Sequence, residues 1–144
     1  MIVLPTDPLA VPSKDRADAA VKFLGNLRPG AQEIELHFSD TPEFVHSGGN
    51  FESVFCPFCQ TDILEWWGNQ MGAWSEGSDR RALAVETPCC RQATSLNDLD
   101  YVWPQGFACV FIEVMNPDTD LRPEELRQVE EVLGLPLRIV WRHI

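Results

Sequence analysis

The chain begins with an apolar triplet, Ile2-Val3-Leu4, which reads as a short strand before Pro5. Beyond a proline-bearing loop (Pro5, Pro8, Pro12), Ser13 is placed to cap a helix, and Asp15 falls in a first turn where an acid suits the helix dipole. Ala17, Ala20, Val21, Leu24 and Leu27 recur at helical spacing, and Arg28-Pro29-Gly30 ends the run. Glu33 to Phe38 then alternates strictly. Ile34, Leu36 and Phe38 face one side and Glu33, Glu35 and His37 the other, the pattern of a half-buried strand. Residues 39–49, with Asp40, Pro42 and Gly48-Gly49, read as a loop. Phe107 to Ile112 is apolar without alternation, which suits a strand covered on both faces. Asn116-Pro117-Asp118 breaks it. A helix is predicted near Pro123 from Leu126, Val129 and Leu133, with Gly134 and Pro136 as its stop. Leu137 to Arg142 alternates again and reads as an edge strand.

Outside the central region the element order is β-α-β followed by β-α-β. This predicts an α+β domain with a ferredoxin-like βαββαβ sheet. On that plan the apolar strands are central and the charged, alternating strands lie at the edges. Residues 1–44 form the first half, 105–144 the second, and 45–104 an insertion between the second and third strands.

The insertion carries the candidate chemistry. Cys56-Pro57-Phe58-Cys59 is a short turn with two thiols, and Cys89-Cys90 supplies two more. Val54-Phe55 and Ala82 to Val85 read as strands leading into each pair. Four thiolates about 2.3 Å from one ion make a closed structural zinc site. The second pair departs from a CxxC turn, because Thr87 stands at its first-ligand position. Cys56, Cys59 and one of Cys89 or Cys90 are therefore the minimal set, with His46, Glu86 or water as substitutes for a fourth ligand. Glycine is also missing after each pair, replaced by Gln60 and Arg91. Cys109, inside the apolar run, reads as a buried core thiol.

No histidine stands near a nucleophile in a catalytic pattern, and Ser47-Gly48-Gly49-Asn50 lacks the lysine of a phosphate loop. A non-catalytic protein is the expectation. No stretch has the length of a membrane span, and the N-terminus has neither a basic leader nor a long apolar run, so a cytoplasmic protein with reduced thiols is expected. The formal net charge of −11 is spread over the chain, and each third has acids in excess. Such a surface repels nucleic acid and attracts basic partners. Trp66, Trp67 and Trp74 lie in the insertion, and so do Asp98, Asp100 and Tyr101 near its end. These six are the candidate partner-binding residues.

The paired-cysteine region resembles a zinc ribbon, which implies a metal-held scaffold and no catalytic residue. The wider stretch from Phe51 to Asn116, with CPFC, TPCC, SLNDL and WPQGF in order, resembles that of small uncharacterised bacterial proteins. The profile as a whole (small, acidic, rich in tryptophan) is similar to bacterial immunity proteins. That similarity implies a protein that occludes a cognate, basic toxin. Two alternatives remain open on the sequence. One is a zinc-ribbon accessory or regulatory protein of a nucleic-acid machine. The other is a thiol oxidoreductase, whose active-site motif Cys56-Pro57-Phe58-Cys59 resembles, with Thr87-Pro88 similar to the substrate-side Thr-Pro of those enzymes. Against the latter, Trp66-Trp67-Gly68 reads poorly as the long amphipathic helix that should follow the motif.

Overall fold

The computed structural model describes residues 1–143. In chain order the elements are β1 (Ile2–Pro5), α1 (Lys14–Leu27), β2 (Glu33–Val45), β3 (Ser53–Phe55), α2 (Leu64–Glu76), β4 (Ala84–Glu86), β5 (Ala93–Ser95), β6 (Asp100–Val102), β7 (Gly106–Met115), α3 (Pro123–Leu133) and β8 (Leu137–Val140). The class is α+β. A four-stranded sheet has the order β2-β7-β1-β8, with every neighbouring pair antiparallel. Two small two-stranded sheets, β3-β6 and β4-β5, lie between β2 and β7 in sequence.

The local causes are plain. Ser13 caps α1, its side chain accepting from Arg16 N at 3.3 Å. Ala17, Ala20 and Leu24 are the buried stripe of that helix. Pro123 opens α3, and Gly134 closes it at φ 83°, where a side chain would be strained and would also meet the Arg16 guanidinium. These helices pack on one face of the sheet, against Val3, Ile112 and Val114. Ile2, Leu4, Phe111 and Val140 form a second layer of core with Val45 and Ala108. The two central strands are thus buried on both sides, which is why neither alternates.

One buried ion pair ties the helices together. Arg28, the C-cap of α1, donates from Nη2 to Glu125 Oε1 at 2.9 Å and from Nη1 to Oε2 at 3.1 Å. Both side chains are 7% exposed. Arg28 also donates to the carbonyls of Thr119 and Asp120, so its guanidinium holds the approach to α3. The hydrogen bond from Arg28, followed by that from the Arg122 backbone, holds the Glu125 carboxyl down at about 2.

Two sequence expectations need correction here. Residues 39–45 are not loop: β2 runs on to Val45 through an irregularity between Phe38 and Glu43, where its register against β7 jumps. Pro42, which has no N–H to donate, sits inside that irregularity, so it costs the ladder nothing. Phe38, expected on the packed side with Ile34 and Leu36, is 64% exposed at the last paired position before the jump. The second correction concerns Trp66-Trp67-Gly68, which lies in α2, a regular helix.

Candidate metal centre

Cys56 follows directly on β3, and the isolated bridge between Phe55 and Asp62 closes residues 56–61 into a tight loop. Glu86 pairs with Ala93, closing residues 87–92 into a loop of the same length between β4 and β5. The two loops also match in their backbone bonds. Cys56 N donates to Thr61 O at 2.9 Å, and Thr87 N to Gln92 O at 3.0 Å. Gln60 N donates to Cys56 O at 2.9 Å, and Arg91 N to Thr87 O at 3.0 Å. Gln60 (φ 61°) and Arg91 (φ 55°) both adopt the left-handed conformation. That is the turn for which glycine is the ordinary choice, and two longer residues hold it here.

By this correspondence Thr87 stands opposite Cys56, Cys90 opposite Cys59, and Cys89 opposite Phe58. The second loop therefore presents its other thiol two positions later than the first loop does. The four Sγ atoms still converge, all within 4.8 Å of one another. Cys56 Sγ lies 3.6 Å from Cys90 Sγ, and Cys59 Sγ lies 3.3 Å from Cys89 Sγ. Four sulfurs each about 2.3 Å from a tetrahedral ion stand about 3.8 Å apart, so modest movement would seat one. The cluster could hold a metal ion. His46 and Glu86 are not part of this cluster; both are exposed.

The surroundings favour a thiolate at Cys56 and at Cys59. Phe58 N donates to Cys56 Sγ at 3.5 Å. Thr61 Oγ1 lies 3.2 Å from Cys59 Sγ, and Thr87 Oγ1 lies 3.3 Å from Cys90 Sγ. Gln92 N donates to Thr87 Oγ1 at 3.0 Å, leaving the threonine's own proton free for the sulfur. Burial works against ionisation of Cys56, but the backbone N–H groups of Cys59 and Phe58 leave its thiol below the ordinary range. Hydrogen bonds from Thr61, by side chain and then backbone, hold Cys59 down. Desolvation, then the contact with Cys59, pushes Cys89 up. A cation among the four sulfurs would favour the thiolate at each.

Sequence reasoning named the four cysteines but missed Thr61 and Thr87 as partners of sulfur. The signal was available in the paired hexamers Cys56-Pro57-Phe58-Cys59-Gln60-Thr61 and Thr87-Pro88-Cys89-Cys90-Arg91-Gln92, which share proline at the second position. Cys109 is buried in β7, away from this cluster, and burial raises its thiol.

The centre is backed by its own small core. Val54, Ile63, Leu83, Leu96, Leu99 and Tyr101 pack with Cys56 and with Phe107 of β7. None of the three candidate tryptophans is fully exposed. Trp67 donates from Nε1 to Tyr101 Oη at 3.0 Å, and Trp74 meets Phe107 edge-on at 5.0 Å between centroids. Tyr101 is itself buried, and its hydroxyl donates to Leu96 O at 2.6 Å. Asp98 and Asp100 are exposed. Trp66 borders a surface groove of about 550 Å³, shared with Thr61, Asp62, Glu65, Pro88 and Cys89, and Asp98, Asp100 and Tyr101 line another of about 380 Å³.

Comparison of the chain with known protein families, curated proteins and solved structures gives no match.

Proposed function

We propose that the chain is a non-catalytic protein-binding module whose insertion is held by one structural zinc ion, and that its partner is a basic protein. The most concrete form of this reading is an immunity protein that occludes a toxin in the cytoplasm. We also read the four-stranded unit as ferredoxin-like and the insertion as a variant zinc ribbon. The strand order with its two helices supports the first, and the paired cysteine loops at hairpin ends support the second.

The observation that carries the binding reading is the groove beside the metal centre. It joins Trp66 with the carboxylates of Asp62 and Glu65, and Phe58 is 54% exposed on the first cysteine loop. An aromatic anchor rimmed by acids suits an Arg- or Lys-bearing surface. The net charge of −11 would steer such a partner toward it. Direct nucleic-acid binding has less support. Of the clustered arginines, Arg80 stacks over Trp74 and Arg81 donates to Asp40 O. Thiol exchange has less support too, because Cys56 is buried and opens a hairpin loop, while α2 starts only at Leu64.

Capture on the immobilised protein, followed by expression of the captured partner, tests this reading. The expected partner is basic, arrests growth when expressed alone, and is neutralised by this chain. Neutralisation should fail with the Asp62→Asn, Glu65→Gln, Trp66→Ala variant. A neutral or acidic partner, or neutralisation untouched by those changes, would reject it.

A further inference from the structure

On the sheet, away from the cysteine loops, Glu35 of β2 lies directly opposite Glu113 of β7. Like charges in facing positions of an antiparallel pair destabilise it unless something bridges them. His37 is two residues along the same face. Its ring stacks on Phe111, its cross-strand partner, at 4.6 Å between centroids and 11° between planes. That stacking points Nε2 between the carboxylates, 3.5 Å from Glu35 Oε2 and 3.3 Å from Glu113 Oε2.

This is an uncomfortable place for an imidazole with no ion. Nε2 is shut off from solvent and has no hydrogen-bond partner, although two acceptors stand close by. The oxygens flank the nitrogen at a distance and angle that do not complete a hydrogen bond. One nitrogen and two carboxylate oxygens, all about 2.0–2.1 Å from a tetrahedral ion, are separated by about 3.4 Å. The two nitrogen–oxygen separations match that figure. The three ligand atoms also lie within 4.8 Å of one another.

We propose that Glu35, His37 and Glu113 form a second cation site, for a zinc-class divalent ion, on the face of the sheet opposite the helices. The ion takes the Nε2 lone pair and one oxygen from each glutamate, and solvent completes its shell. Two carboxylates balance its charge, and the cross-strand repulsion becomes attraction. Among the described residues Arg142 is the cation paired with these carboxylates: its Nη1 is 3.7 Å from Glu113 Oε1, the oxygen other than the one beside His37. It orients that carboxylate and leaves Oε2 free. The site shares no residue with the cysteine centre and does not depend on the proposed function.

Zinc titrated into protein whose cysteine centre is already loaded decides the matter. Calorimetry should find one further equivalent per chain, and the His37 ring resonances should shift as it binds. His37→Ala should abolish that equivalent and Glu35→Gln should weaken it at least tenfold, with unchanged circular dichroism in both. Saturation at a single equivalent would overturn the proposal. A second equivalent that survives His37→Ala would overturn it equally, since that zinc would be bound elsewhere.

Discussion

Thr87 occupies the position a first cysteine ligand would take, yet its hydroxyl is aimed at Cys90 Sγ with its own lone pair held by Gln92 N–H. In a metal-loaded cluster it would hold Cys90 in place. Thr87→Val keeps the shape and removes that bond, and partners of this kind are typically worth 10- to 100-fold in metal affinity. A competition titration against a chromophoric chelator should show a loss in that range; unchanged affinity would make the contact incidental. Arg91 holds a left-handed turn with a side chain that strains it by about 1–2 kcal/mol, so Arg91→Gly should not destabilise the metal-loaded protein and should raise its midpoint of unfolding slightly. Glu125 makes a sharper case. Its carboxyl lies near 2 rather than 4.5, so its contribution is present above the ordinary carboxylate range and is lost as pH falls through about 2. Glu125→Gln strands Arg28 in the interior and should cost about 3 kcal/mol at neutral pH. Denaturation curves of the two proteins should converge as pH drops from 5 to 2. At this scale the sequence revealed sulfur but not its partners. A thiol pair advertises itself by spacing, whereas a threonine's use is decided by a backbone turn formed three residues away.

Helices and strands were legible wherever a single buried face dictated the pattern. Ser13, the Ala17-Ala20-Leu24 stripe and the Gly134 stop are local signals with local causes, and α1 and α3 follow them. β2 and α2 are different. The first passes through Pro42 because a break in register absorbs the missing donor, and no short-range signal marks that. The second has no fully buried residue, so it lacks the clean stripe that periodicity detects. It is held by contacts from one side, among them Trp67 to Tyr101 and Trp74 to Phe107. Trp67→Phe should therefore cost about 1 kcal/mol, the net worth of one hydrogen bond, while Trp74→Ala should cost several times that through lost packing. Thermal unfolding of the two variants checks the ranking; equal costs would mean that α2 is seated some other way.

Over the whole molecule, the insertion and the sheet are joined by a polar clamp rather than by shared core alone. Asn97 accepts from Phe107 N at 2.8 Å and donates to Thr6 O at 2.9 Å, while Arg138 of β8 reaches Asn97 O at 2.9 Å. The four-cysteine cluster lies beyond that clamp. Removing the metal should loosen β3, β4, β5 and α2 while β1 and β7 keep their amide protection, a split that hydrogen exchange with and without chelator can read. Among the described residues no helix is long and apolar enough to cross a membrane. The central claim is that Cys56, Cys59, Cys89 and Cys90 together enclose one zinc ion. X-ray absorption at the zinc edge tests it most directly, made on the His37→Ala variant so that the sheet site contributes nothing. The account predicts one zinc per chain with four sulfur neighbours at about 2.3 Å. A protein purified without zinc that binds none on addition, or a shell with nitrogen or oxygen in place of one or more sulfurs, would contradict it.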